Sequence, residues 1–231
     1  VSRRLAPFAK PLPRSAVNSI KSGLGLAVAS NLDALARLWG TDKAPGHHSY
    51  TQYYASHLRG RRRSVKCVLE IGIGNERDPQ TGGNSLRMWR HYFPHAAIYG
   101  IDLYEKWFES ESRITTLTAD QSDPSALSRA VDGCPPFDLV VDDGSHVGSH
   151  VITTFDVLFP KVTPGGYYAI EDLETSYLPA YGGGPPGAAN TAAALAKELI
   201  DDVNVGPQPI AAVHAYPGLV LVEKAGERRE D

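Results

Sequence analysis

Apolar positions along this chain follow two rhythms, helical spacing and short unbroken runs, and the two take turns. Between 25 and 39, Leu26, Val28, Ala29, Leu32, Leu35, Ala36 and Leu38 recur at helical spacing and Gly40 supplies a stop, so one helix is expected there, outside any sheet. Tyr50, Tyr53, Tyr54 and Leu58 share one face of a second predicted helix over 50–58. From 65 onward, runs of strand length at 65–71, 97–101, 114–118, 137–141 and 166–170 alternate with helical segments at 85–92, 125–131 and 147–158, and Ser145 is placed to cap the last of these. Pro164-Gly165-Gly166 reads as the turn into the fifth strand. An alanine-rich helix over 191–203 and a hairpin of 210–216 with 219–224, turning on Pro217-Gly218, close the pattern.

Strands that alternate with helices imply parallel pairing through crossovers. The expected fold is α/β: a Rossmann-like, seven-stranded, mostly parallel sheet with helices on both faces. Its closing hairpin puts an antiparallel last strand at the sheet edge, and a small helical appendage precedes it. The expected division is an N-terminal arm and helical cap at 1–63, the sheet domain at 64–226 and a frayed tail at 227–231. Segment 1–21 carries Arg3, Arg4, Lys10, Arg14 and Lys21 without an acid and lacks the apolar core of a secretory signal. It reads as an arm that packs on another surface or subunit, which fits a homo-oligomer, most simply a dimer.

Composition works by exclusion. A chain of 231 residues with 42% hydrophobic content can bury its own core. Its net charge of -3 offers no field for nucleic acid. No apolar stretch is long enough to span a bilayer. Two cysteines, Cys67 and Cys134, fit free thiols in a reducing cytoplasm.

Candidate chemistry gathers where the predicted strands stop. The run 137–141 ends on Asp142-Asp143-Gly144-Ser145-His146, and 166–170 ends on Glu171-Asp172. Ligands of open α/β sheets bind at the carboxyl ends of strands. If those two strands are neighbours, their carboxylates meet in one crevice, and a hard divalent cation is the simplest relief of their repulsion. The first strand carries Glu70 and runs into Gly72-Ile73-Gly74, but Arg77 stands where a dinucleotide fingerprint wants its third glycine. Glu70 suits a ligand with a cationic or hydroxylated end better than a pyrophosphate. Asp102, at the tip of the second strand, is placed to accept from both hydroxyls of a ribose, and Asp120-Gln121 after the third meet an adenine edge. The first half of the sheet is thus expected to hold an adenosine-like ligand with a cationic end, and the second half a metal and the reacting group.

Glu70-Ile71-Gly72-Ile73-Gly74, Asp102 and the seven-strand order resemble the class I S-adenosylmethionine-dependent methyltransferases. More narrowly, Gly40-Thr41-Asp42-Lys43, Gly82-Gly83-Asn84-Ser85-Leu86-Arg87-Met88-Trp89, Asp142-Asp143-Gly144-Ser145-His146, and Glu171-Asp172-Leu173 with Thr175-Ser176-Tyr177 are similar to actinobacterial metal-dependent sugar O-methyltransferases. That group includes the mycinamicin, rhamnosyl and methylmannose-oligosaccharide enzymes, and the resemblance covers 40–224. It implies S-adenosyl-L-methionine and Mg2+ as cofactors and a saccharide or glycoside hydroxyl as acceptor, in polysaccharide or natural-product biosynthesis. It also implies Asp143, Glu171 and Asp172 as metal ligands, with His146 as general base beside Asp143. Oxygen ligands suit magnesium, and an imidazole with its ordinary pKa of about 6.5 can take a proton near neutrality. On this reading Glu70, Gly72, Gly74, Ser85, Asp102, Asp120, Gln121 and Asp142 face the cofactor, and His47, Tyr50 and Tyr177 line the acceptor side.

Other readings stay open at this point. Asp142 either caps the next turn or faces the cofactor. His146 and His150, four apart, would share a zinc if both sat on one helix. His47 and His48 line the acceptor site or only a loop, and Tyr50, Tyr53 and Tyr54 cover the cofactor or pack on the sheet. The glycine-rich stretch 181–187 is a mobile lid or a plain loop. His57, His91, His95 and His214 are read as structural. Two rival functions remain, a nicotinamide-dependent oxidoreductase and a non-catalytic binding module; Arg77 counts against the first, the intact acids and His146 against the second.

Overall fold

The computed structural model describes residues 13–74, 78–106, 111–206 and 209–226. The first twelve residues of the expected arm, the loop position Arg77 and the tail 227–231 lie outside the described residues. Five strands, β1 (Cys67–Ile71), β2 (Ala97–Asp102), β3 (Ile114–Thr118), β4 (Phe137–Asp142) and β5 (Val162–Ile170), pair in parallel. With β6 (Ile210–Tyr216) and β7 (Leu219–Lys224) they form one seven-stranded sheet in the order β3-β2-β1-β4-β5-β7-β6. Strand order therefore reverses between β1 and β4, which opens a crevice at their carboxyl ends.

Both faces of the sheet are covered. One carries α2 (Leu32–Trp39), α3 (Thr51–Leu58) and α4 (Asn84–Tyr92), with α1 (Arg14–Ala27) lying against α2 and α4. The other carries α5 (Pro124–Ala130), α6 (Gly148–Leu158) and α7 (Ala192–Val205). Neighbouring strand residues point to opposite faces: Val68 and Leu139 join the core with Leu35, Tyr54 and Trp89, while Leu69 and Val140 join Leu127, Phe155 and Leu199. Burial on both sides is why these strands read as continuous apolar runs. The helices α2 and α3 of the 1–63 segment thus share a core with the sheet.

Four local expectations are corrected. The helix expected over 25–39 is two helices, because the Asn31 side chain accepts from Ala34 N at 3.0 Å and caps α2. Leu26, which the apolar rhythm placed inward, is 75% exposed. Ser145 does not cap α6: the helix begins at Gly148 after Val147, while Ser145 Oγ accepts from Val147 N at 3.3 Å and meets His150 Nδ1 at 2.9 Å. The antiparallel β7 lies one place in from the edge, and the edge strand is β6. The hairpin docks that way round because Leu219-Val220-Leu221-Val222 is apolar on both faces and fully buried, whereas β6 is half-buried. Pro164 and Gly165, expected in a turn, lie within β5, where its register against β4 shifts.

At the crevice the backbone of β1 passes close to that of β4. Asp143 N donates to Ile71 O at 3.0 Å, and Gly72, at φ +80, would place a Cβ 2.0 Å from Asp143 O. Gly72→Ala should therefore lose about 2–5 kcal/mol of stability from collision plus left-handed strain. Gly133→Ala, at φ +79 with nothing within 4 Å, should lose only the strain, about 1–2 kcal/mol. Urea denaturation of both variants checks this, and equal losses would show that the close approach is unimportant.

Candidate active site

The site is built around a side chain that arrives from outside the sheet. Gly40 ends α2 in the left-handed conformation, and the following loop delivers Lys43 into the gap above β1, β4 and β5. Its Nζ lies 2.5 Å from Asp143 Oδ2, 2.6 Å from Glu171 Oε2 and 3.2 Å from Glu70 Oε1, and the residue is 0% exposed. Burial alone would lower the Lys43 pKa, but Asp143, Glu171 and Glu70 outweigh it and raise the pKa well above the ordinary value, so the ammonium keeps its charge. Burial raises Glu171, and Asp143 and Glu70 push it further up against the pull of Lys43. The outer oxygens are also held: Tyr54 OH donates to Glu171 Oε1 at 2.6 Å, and Trp89 Nε1 donates to Glu70 Oε2 at 3.0 Å.

On the open side of this cluster Asp143, His146 and Asp172 converge, with one candidate ligand atom from each within 4.8 Å of the others. His146 Nε2 lies 3.5 Å from Asp172 Oδ2. Both His146 (φ 59) and Asp172 (φ 51) adopt the left-handed conformation, which costs a non-glycine residue about 1–3 kcal/mol and persists where the surroundings impose it. Tyr50 is one imposing group: its OH donates to Asp172 Oδ1 at 2.8 Å and accepts from Asp172 N at 3.3 Å. His48 stacks on Tyr50 with ring centroids 5.2 Å apart and places Nδ1 3.5 Å from Asp172 Oδ1. Tyr181 meets the His146 ring edge-on at 6.1 Å.

Beside the triad lies a cleft of about 340 Å³ whose lining includes Gly72, Gly74, Asp102, Asp120 and Gln121. Asp102 is oriented at its rim by Tyr104 N at 3.0 Å and Ile73 N at 3.3 Å. Asp120 accepts from Ser122 N and Oγ, and these bonds hold its pKa down. Asp142 is closed in behind the cleft, accepting from Gln121 Nε2 at 2.7 Å and Tyr168 OH at 3.3 Å. Burial pushes its pKa from 3.8 up to about 7. A larger groove of about 790 Å³ runs between α1 and the start of α4, past Arg14, Arg87, Arg90 and Glu111, and touches none of the strand-tip acids.

The residues singled out from the sequence are therefore distributed in layers. Gly72, Gly74, Asp102, Asp120 and Gln121 face the cleft. Glu70 and Asp142 stand behind it, and Ser85 faces Glu70 from α4. Glu171 is buried under Lys43 and Tyr54, while Tyr50 is 2% exposed and acts on Asp172 rather than on solvent. His47 is exposed, and its neighbour His48 is the one that reaches Asp172. Tyr177 is 45% exposed, and Tyr181 is the tyrosine against His146. The loop after Tyr181 is tied back by Gly183 N to Leu178 O at 3.0 Å and Gly184 N to Ser176 O at 3.1 Å. His146 precedes α6 and faces Asp172, whereas His150 sits in α6 against Ser145, so the two do not form a zinc-binding helix pair. His57 and His91, read as structural, bond to Tyr216 OH and Arg87 O, both at 2.8 Å. Lys43 had no role assigned from sequence, because a lysine in a polar loop carries no periodic signal.

No family model matches the chain. It is similar to 8-demethyl-8-alpha-L-rhamnosyl tetracenomycin-C 2'-O-methyltransferase of Streptomyces olivaceus, 40% identical over 206 residues, which is 84% of this chain and 54% of that protein. It is also similar to mycinamicin VI 2''-O-methyltransferase of Micromonospora griseorubida, 41% identical over 209 residues, 84% of this chain and 53% of that protein. The chain spans about half the length of these curated relatives. Among solved structures, MycE methyltransferase from the mycinamycin biosynthetic pathway, in complex with Mg and SAH in its second crystal form, superposes with a TM-score of 0.81 at 34% identity. That match covers 99% of this chain and 67% of the MycE chain.

Stability depends on pH through Asp142. In the unfolded chain it loses its proton near 3.8, whereas in the fold it keeps it to about 7, so the native state binds the extra proton between those values. Stability contributed by this residue is present below 3.8 and is lost as pH rises toward 7. Asp142→Asn retains an acceptor for Gln121 and should flatten this part of the slope. Chemical denaturation of both proteins across the window measures it; parallel slopes would contradict the assignment.

Proposed function

Because this chain belongs to the same methyltransferase family as MycE, we propose that it transfers a methyl group from S-adenosyl-L-methionine to a hydroxyl of a saccharide or glycoside, with Mg2+ as cofactor. The observation that carries the reading is the convergence of Asp143, His146 and Asp172 beside a cleft floored by Gly72 and Gly74.

The residues present fit both groups. At about 340 Å³ the cleft falls in the range of roughly 300–1,000 Å³ usual for small-molecule sites. Its floor is bare backbone, since a Cβ at Gly74 would lie 3.0 Å from Gly82 Cα. Asp102 at its rim is placed to accept from ribose hydroxyls. Asp143 and Asp172, with Glu171 behind them, offer the carboxylate oxygens that magnesium prefers, and a carboxylate oxygen that accepts from lysine or tyrosine retains a second lone pair. A divalent cation held there would make an alkoxide easier to form, and the donor would supply a sulfonium methyl.

This chain's own residues position the acceptor and move its proton. His146 Nε2 would take the proton from the acceptor hydroxyl as that oxygen bonds to the methyl carbon and the donor's carbon–sulfur bond breaks, its electron pair leaving with a neutral thioether. Asp172 Oδ2 lies 3.5 Å from Nε2 and orients the ring. Tyr50 in turn holds Asp172, and Tyr181 limits the tilt of the ring. His48 and Tyr177 stand on the acceptor side. The names of the relatives support a glycosylated natural product as acceptor. The reading includes a cytoplasmic, homo-oligomeric enzyme with a cap at 1–63 on a catalytic domain at 64–226. Exposed Ile20, Leu24 and Leu26 on α1 support association, and among the described residues no helix is long and apolar enough to cross a membrane.

An assay with labelled methyl donor and a panel of rhamnosides, other deoxysugar glycosides and short mannosides tests the proposal. Label should reach a sugar hydroxyl, EDTA should stop transfer and magnesium should restore it; undiminished transfer in EDTA removes the metal from the mechanism. His146→Ala should lower kcat by about 10²–10⁴ with little change in donor affinity. Equal loss of both would place the ring in the donor site instead.

A further inference from the structure

Lys43 is a fully buried cation at the strand tips, and the proton transfer above does not use it. Three carboxylate oxygens from three different strand tips surround its Nζ, at 2.5 Å from Asp143, 2.6 Å from Glu171 and 3.2 Å from Glu70. An all-oxygen cage of this kind is what a hard cation seeks, and here it is filled by a cation tethered to the chain. Asp143 belongs to two groups at once. Its Oδ2 meets the ammonium, and its carboxylate is also a member of the Asp143, His146 and Asp172 cluster.

We infer that Lys43 is a built-in competitor that limits how tightly this site grips a divalent ion. The inference rests on the metal-dependent reading given above. Two positive charges in contact with one carboxylate repel each other, and with Lys43 0% exposed there is little water to screen them. The ammonium also removes one unit of the negative charge that would otherwise attract the ion, and it occupies lone pairs of Asp143 and Glu171. A loosely held ion keeps coordination positions occupied by water, which an acceptor hydroxyl can displace. Tyr54 and Trp89 pin the cage from behind, so the ammonium is held in place rather than displaced when an ion arrives.

The test uses the full chain and Mn2+ as probe, read by electron paramagnetic resonance and by calorimetry, with Lys43→Met removing the charge and Lys43→Arg retaining it. K43M should bind Mn2+ about tenfold tighter or more, and K43R should stay close to wild type. The melting temperature of K43M should fall in EDTA, where the carboxylates lose their counter-charge, and recover in Mn2+ as the ion takes the ammonium's place. A lysine that only holds the fold would leave Mn2+ affinity unchanged or weaker in K43M, and that result overturns the inference. If K43M is insoluble without metal, it is produced with Mn2+ present; failure to fold even then also overturns it. Wild-type methylation that ignores EDTA would sink the metal-dependent reading by itself, whereas the K43M affinity reads Lys43 alone, so the two failures are separable. No Mn2+ binding by either protein defeats both.

Discussion

One ammonium group ties this molecule together. Lys43 comes from the segment that precedes the sheet, and its Nζ bridges carboxylates at the ends of β1, β4 and β5. Burying so many ionisable groups is costly, and such clusters survive only when each charge has a partner and the remaining lone pairs are filled. Here Tyr54 from α3 and Trp89 from α4 fill them. The segment that carries α2 and α3 is consequently part of the site as well as part of the core: both helices pack on the sheet, and the loop between them carries the cation without which the strand tips would repel.

Around that cluster the sheet's topology sorts the chemistry. Strand order reverses between β1 and β4, so Gly72 and Asp143 lie side by side at the crevice, close enough that a side chain on Gly72 would collide with Asp143 O. One flank of the crevice holds the cleft with Asp102, Asp120 and Gln121; the other holds Asp143, His146 and Asp172. A donor bound on the first flank and a hydroxyl bound on the second would meet over the junction, which is what methyl transfer requires. Left-handed backbone at His146 and Asp172 turns both side chains toward each other at the ends of neighbouring strands.

Several partners of the strand-tip acids come from far away in sequence. Tyr50 and Asp172 are separated by 122 residues and share two hydrogen bonds, and Tyr54 and Glu171 by 117. Their effect is to divide the acids by role. Asp172 and Asp143 reach the open side, Glu171 and Glu70 are held inward by Lys43, Tyr54 and Trp89, and Asp142 is retained as a buried acceptor for Gln121 and Tyr168.

The amino-acid sequence by itself determined the alternation of strands and helices, the seven-stranded sheet and the location of the acids at strand ends. Those features rest on the local order of apolar and polar residues, which a chain displays without folding. The apolar rhythm runs unbroken past Asn31, because a capping side chain is a single residue set against a long pattern. Nor does that local order encode which hairpin strand lies at the edge, because this depends on which one offers two apolar faces to a neighbour. Only the tertiary structure decided which acids are open and which are closed. Glu171 and Asp172 are adjacent in sequence and equal in charge, yet one is sealed under Lys43 and the other faces His146. That difference arises from where the 40–54 segment docks, a contact made across more than a hundred residues, and no pattern confined to either stretch encodes it.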